Sequence, residues 1–264
     1  MATKWKRGTV NARQSYIVAA FKFGVAQELV PVTAWQALTS VPRLRRGEAG
    51  AIEGKKIGPV PLAHVEAVKP YLSPQIVALI DLQLLTGARG GELCIMRPCD
   101  LTTTGKVWEF RPQHHKGQHL DHERVIYLGP RAQAVVMPFL ADRALDACLF
   151  DPREGNAQRK AAHASKGKPR RPDQKPNPTK SARKISDHYT AGSYRKAIER
   201  ACITAGVPDW HPHQLRHTAA TELRRQFGLE AASLMLGHAS GAITDAVYAE
   251  RDAGKAHAIA LRVG

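Results

Sequence analysis

The sequence is short of cysteine, of acidic residues and of long apolar runs, and each shortage removes a class of protein. Its four cysteines, Cys94, Cys99, Cys148 and Cys202, contain no C-x-x-C pair and no dense framework. That argues against a disulfide scaffold and leaves reduced thiols, packed in the core of an intracellular protein, as the expectation. No stretch reaches about 18 apolar residues. The basic start, residues 1–9, is not followed by an apolar region with a small-residue cleavage site, so neither secretion nor a membrane span is indicated and a cytoplasmic location is expected. Acidic residues number 23 against 39 Lys and Arg, a formal charge of +16.

An excess of that size is an electrostatic footprint for a polyanion, with nucleic acid the first candidate and a solubility bias spread over the surface the bland alternative. Hydrophobic residues make up 43% of 264 positions, enough apolar material for one large domain or a domain with a small appendage.

Along the chain, Asn11 is placed to cap a helix over 11–27, where Tyr16, Ile17, Ala20, Phe21 and Val25 recur at helical spacing. A short helix capped by Thr33 follows, to residue 38. Residues 42–61 are rich in Arg, Lys, Gly and Pro without periodicity, which reads as a basic linker. Residues 1–41 hold too few elements to bury a core alone. Ser73-Pro74 opens a helix with one apolar face, Ile76, Val77, Ile80, Leu84 and Leu85, that stops at Gly87. A short helix is expected over 92–96, and antiparallel strands over 106–110 and 124–128, joined by a polar loop over 113–123. A helix over 132–140 would be kinked by Pro138.

Residues 151–187 carry 11 Lys/Arg, four acidic residues and five prolines with almost no large apolar side chain. This is read as a flexible basic insertion that contacts phosphates without reading bases. Helices are expected again at 191–205, 213–226, 229–236 and 243–248, with a last one over 253–262. The sum is a mainly α domain with a small antiparallel β-sheet, an α+β fold, and no internal repeat.

Four separated pieces carry chemistry: Thr86-Gly87-Ala88-Arg89 with Glu92; Lys116 in the hairpin loop; His213-Gln214-Leu215-Arg216-His217-Thr218; and Leu236-Gly237-His238 followed by Tyr248. In this order they resemble the tyrosine recombinase family, the phage integrase type, from about residue 60 to the C-terminus. The match is longest over 213–248. Arg89, Lys116, His213, Arg216, His238 and Tyr248 fall where the family places its catalytic residues. Ten positions separate His238 from Tyr248, about one more than the family pattern, with Gly241 as the extra residue.

These residue types suit phosphodiester exchange. Negative charge gathers on the non-bridging oxygens, and two guanidinium groups, Arg89 and Arg216, can hold them bidentately. His213, three residues before Arg216, shares its helical face, so ring and guanidinium can approach one phosphate. The resemblance implies Lys116 as the acid that protonates the leaving 5′ oxygen. Tyr248 would be the nucleophile, activated by His213 and His238. Covalent attachment conserves the broken bond's energy, so no cofactor and no metal is called for.

The resemblance further implies an N-terminal core-binding domain, of which residues 1–41 would be the last helices, a linker at 42–61 and a catalytic domain over 62–264. It also implies a homotetramer on double-stranded DNA from a protein that is monomeric in isolation, acting in a bacterial or phage context. Taken singly, each residue has a structural alternative: Arg89 a helix-end cation, His238 a turn residue, Tyr248 a core aromatic, Lys116 a solvated side chain. Tyr127, Tyr189 and Tyr194 are competing tyrosines. Rival functions are type IB topoisomerase-like relaxation, an inactive DNA-binding fragment, and a zinc-dependent nuclease suggested by His114, His115, His119, His122 and Asp121.

Overall fold

A computed structural model of the chain describes residues 5–54, 57–114, 124–165 and 185–237. The chain forms two compact units, Met1–Ile57 and Gly58–Gly264. The expected helices over 243–248 and 253–262, and most of the 113–123 loop, lie outside the described residues.

In the first unit, α1 spans Arg7–Ala26 and α2 spans Val32–Thr39. Neither helix starts at its expected cap. The N-caps are Lys6 and Pro31, and neither gives a side-chain cap. Asn11 sits one turn inside α1, where its amide donates to the Leu44 carbonyl at 3.1 Å and accepts from the Leu44 N–H at 3.0 Å. A side chain suited to capping is used instead to tie the segment at Leu44 to the helix. An Arg7–Glu53 ion pair at 2.8 Å and a Lys6–Ile52 bridge tie residues 52–53 to the helix start. Gly24 is the only buried residue described in this unit, and a Cβ there would come within 2.9 Å of Val30 Cγ2.

The second unit is built around α4, Pro74–Thr86. The sequence suggests one apolar face, but this helix is buried on nearly every side: Gln75, Ile76, Ala78, Leu79, Ile80, Leu82, Gln83 and Thr86 are all inside. The reason is its central place, in contact with α5 (Gly90–Cys94), α6 (Pro130–Leu140), α7 (Pro152–Ser165) and α9 (Pro212–Phe227). A helix surrounded by others needs no polar face. Each fully buried Leu or Ile contributes about 1.5–3 kcal/mol.

The sheet is three-stranded and antiparallel, ordered β1 (Leu101–Thr102), β2 (Trp108–Phe110), β3 (Ile126–Leu128). Phe110 pairs with both Leu101 and Ile126, and Trp108 with Leu128. Alternation sends Phe110, Ile126 and Leu128 into the core and leaves Tyr127 outward. Helix α3, Leu62–Val68, precedes α4, and α6 continues through Pro138 to Leu140. Residues 152–165, inside the segment read as an insertion, form α7. Glu154 there pairs with Arg143 at 2.8 Å.

Helix α8, Ala191–Ala205, begins and ends as its sequence predicts. Thr190 accepts from the Ser193 N–H, and Gly206 takes the left-handed conformation at φ 68°. Helix α10 spans Leu229–Leu236 and packs on α9. No helix among the described residues is long and apolar enough to cross a membrane.

Candidate active site

The site grows from the left-handed turn that ends α4. Gly87 has φ 65°, and a Cβ there would lie 2.5 Å from Leu236 Cδ2 and 3.8 Å from Ala219 Cβ. Only glycine lets the end of α4 reach both α9 and α10. Arg216, on the inner face of α9, is 1% exposed. It donates from Nη1 to the Gly87 carbonyl at 2.6 Å and from Nη2 to the Leu236 carbonyl at 2.9 Å. One guanidinium therefore joins three of the four motif pieces, and two anchoring bonds fix its plane.

Arg89 is the N-cap of α5 and is partly exposed. Glu92, 4% exposed, accepts from the Arg89 backbone N–H at 3.0 Å and from its Nη1 at 2.8 Å. It also accepts from Arg124 Nη2 at 3.4 Å. Burial alone would raise the Glu92 pKa, but the Arg124 and Arg89 charges outweigh it and hold the carboxylate below its ordinary value. The carboxylate thus fixes both the backbone and the side chain of Arg89.

His213 is exposed near the start of α9, and the ring stacked edge-on against it at 5.0 Å is that of His217. His217 is 6% exposed. Burial, then the neighbouring His213, His211 and Arg216, push its pKa down to about 4, so it is neutral at pH 7. Thr218, one residue on, donates to the Val60 carbonyl at 3.0 Å and accepts from the Val60 N–H at 3.0 Å. Gln214 donates to the Gly58 carbonyl at 3.2 Å. These bonds strap residues 58–60 across α9.

Of the six sequence-predicted residues, Arg89, His213 and Arg216 are described, with Arg89 following Gly87 by two positions. Lys116, His238 and Tyr248 lie outside the described residues, as do His115, His119, His122 and Asp121. Two of the competing tyrosines are poorly suited to attack. Tyr194 is fully buried, and burial raises its pKa well above the ordinary value. Tyr189 is buried with its hydroxyl 3.3 Å from Ser73 Oγ, and Tyr127 points outward from β3.

Arg124 is absent from the sequence reading of the site. The signal was present: residues 124, 126 and 128 share a strand face, and Ile126 and Leu128 point into the core. A cleft of about 440 Å³ elsewhere, lined among others by Ser73, Asn156, Tyr189 and Arg200, contains none of the site residues.

The phage integrase family model matches residues 65–255. Among solved structures, the chain is similar to a lambda integrase dimer bound to a COC′ core site, at 13% identity and TM-score 0.59, over 93% of this chain and 75% of that one. It is similar also to a Tn1549 transposon integrase in complex with a circular intermediate DNA, at 17% identity and TM-score 0.64, over 98% and 80%. Among curated proteins, none matches the chain. The two likenesses show a shared fold. The family match covers most of the chain, which therefore belongs to the phage integrase family. It is a tyrosine recombinase, an enzyme of site-specific DNA recombination.

Proposed function

We propose that Tyr248 is the nucleophile of this recombinase, and that Arg89, Lys116, His213, Arg216 and His238 complete its machinery. The tyrosine oxygen attacks a backbone phosphorus of duplex DNA, forming a 3′-phosphotyrosine bond as the bond to the 5′ oxygen breaks. The tyrosine proton passes to a histidine, His213 or His238, and Lys116 supplies the proton that the leaving 5′ oxygen takes up. Arg89 and Arg216 neutralise the charge that gathers on the phosphate oxygens. In the reverse step, a 5′ hydroxyl attacks the phosphotyrosine and restores the DNA backbone.

The observation that carries this reading is the bonding of Arg216 to both Gly87 and Leu236. It brings the turn before Arg89, the His213 helix and the segment leading to His238 together at one buried cation. The same reading extends to four protomers assembled on DNA from a chain that is monomeric alone. It also extends to work in the cytoplasm of a bacterial or phage-infected cell, consistent with four free cysteines. A supercoiled plasmid with two copies of a candidate attachment site tests it. Resolved or inverted products are expected, whereas relaxed circles without exchanged partners would overturn recombination in favour of topoisomerase chemistry.

A further inference from the structure

Arg124 and Arg216 are the two buried arginines among the described residues, but they are bonded very differently. Arg216 holds two carbonyls at short range. Arg124 reaches Glu92 at 3.4 Å and the Val125 carbonyl at 3.5 Å, and its Nε, shielded from solvent, has no hydrogen-bond partner. A buried cation so sparsely bonded opposes folding more than it assists it, so its place here points to a task other than stability.

Its neighbours indicate the task. The guanidinium lies against the backbone of Gly237, the left-handed C-cap of α10 at φ 62°. A Cβ on Gly237 would collide with Nη1 and come within 2.9 Å of Cζ. Through Glu92, the same group is linked to Arg89. By chain connectivity, Arg124 follows the loop that carries Lys116, and Gly237 precedes His238.

We propose that Arg124 is a positioning residue for strand cleavage: it is held to Arg89 through Glu92 and to the end of α10 through Gly237. One guanidinium thereby sets the spacing between the phosphate-binding cation and the chain that continues to His238. The α10 C-terminus is bonded by Arg216 at the Leu236 carbonyl and packed against by Arg124 at Gly237. Gly237 is required here for a second reason beyond its positive φ, because a side chain would displace the guanidinium. This role rests on the recombinase chemistry assigned above.

The test compares wild type, Arg124→Lys, Gly237→Ala and the double variant. Each is assayed for covalent adduct formation at saturating suicide duplex, for duplex Kd and for melting temperature. Lysine keeps the charge but lacks the Nη and Cζ atoms that a Cβ on Gly237 would meet. Arg124→Lys is expected to slow cleavage at saturation about 10-fold or more with Kd changed by less than about 3-fold. Gly237→Ala is expected to slow wild type about 5-fold more than it slows Arg124→Lys. The left-handed strain of an alanine is common to both backgrounds and cancels.

Gly237 is exposed, and where Arg124→Lys is poorly folded the Gly237→Ala penalty in wild type is compared instead with that in Arg124→Met, which fills the same space without a guanidinium. Slowed cleavage at saturation supports the role, and wild-type speed overturns it. Equal Gly237→Ala penalties in the two backgrounds, or a loss confined to Kd or melting temperature, would also overturn it. Wild type forming no adduct would overturn the recombinase chemistry and this role together. An active wild type with an unaffected Arg124→Lys would overturn this role alone.

Discussion

Replacing Arg216 by lysine separates the anchoring that the structure shows for this side chain from the phosphate contact proposed for it. Its guanidinium spans the Gly87 and Leu236 carbonyls at 2.6 and 2.9 Å. A lysine ammonium is a compact point charge without the planar fork needed to serve both in the same geometry. One buried carbonyl then loses its partner, which costs about 1–3 kcal/mol. In a domain of this size that lowers the melting temperature by about 3–10 °C. The charge remains, but the fixed bidentate presentation to phosphate is lost, so cleavage at saturating DNA should fall by about 100-fold or more. Thermal unfolding and single-turnover adduct formation on one preparation measure both effects. A variant that melts with wild type would refute the structural half of this reasoning. One that cleaves with wild type would refute the assignment of Arg216 to the phosphate.

His217, held near pKa 4 against 6.5 unfolded, must be neutral in the native state, so the stability it contributes is complete above pH 6.5 and is lost as pH falls towards 4. The loss is at most about 2–3 kcal/mol by pH 4.5, and urea unfolding at pH 7.5 and 4.5 should show a smaller drop for His217→Gln than for wild type; equal drops would contradict it. Glu92, with its pKa lowered on folding, stabilises above about pH 4.5 and less as pH falls below it. Glu92→Gln should therefore melt lower at pH 7, by a margin that narrows as pH falls below about 4.5, and cleave about 10-fold or more slowly at pH 7. An unchanged melting point at pH 7 would count against the shared carboxylate. Thr218→Val removes the strap to Val60, which should cost about 1–2 kcal/mol while adduct formation by the folded protein persists. A melting temperature equal to wild type would show the strap to be idle.

What could be read from the sequence depended on whether a local signal and the tertiary environment agreed. Helix α8 could be placed to the residue, because Thr190 and Gly206 supply end signals that the fold uses as such. Helix α1 could not be started correctly, since its true cap, Lys6, has no capping side chain and Asn11 is used in a long-range contact. β1 is two residues long and α3 seven, too short to establish a period. The one-sided apolar pattern assigned to α4 failed because a central helix is covered all round. At the site, motif order singled out Arg89, His213 and Arg216, which the fold places at the start of α5 and on α9. It could not reveal that Arg216 is anchored to backbone carbonyls, that His217 is the ring against His213, or that a buried residue two positions before β3, Arg124, adds a third cation. Those facts depend on contacts between positions such as 87 and 216, far apart in sequence.

The central claim is that Tyr248 makes the covalent bond to DNA. Wild type and Tyr248→Phe would be incubated with a nicked suicide duplex carrying a candidate attachment site, in the presence of chelator, and the adduct mapped by mass spectrometry of its tryptic peptide. The account predicts an adduct in wild type, mapped to Tyr248, and none in Tyr248→Phe. An adduct that survives the substitution, or that maps to another residue, would contradict it.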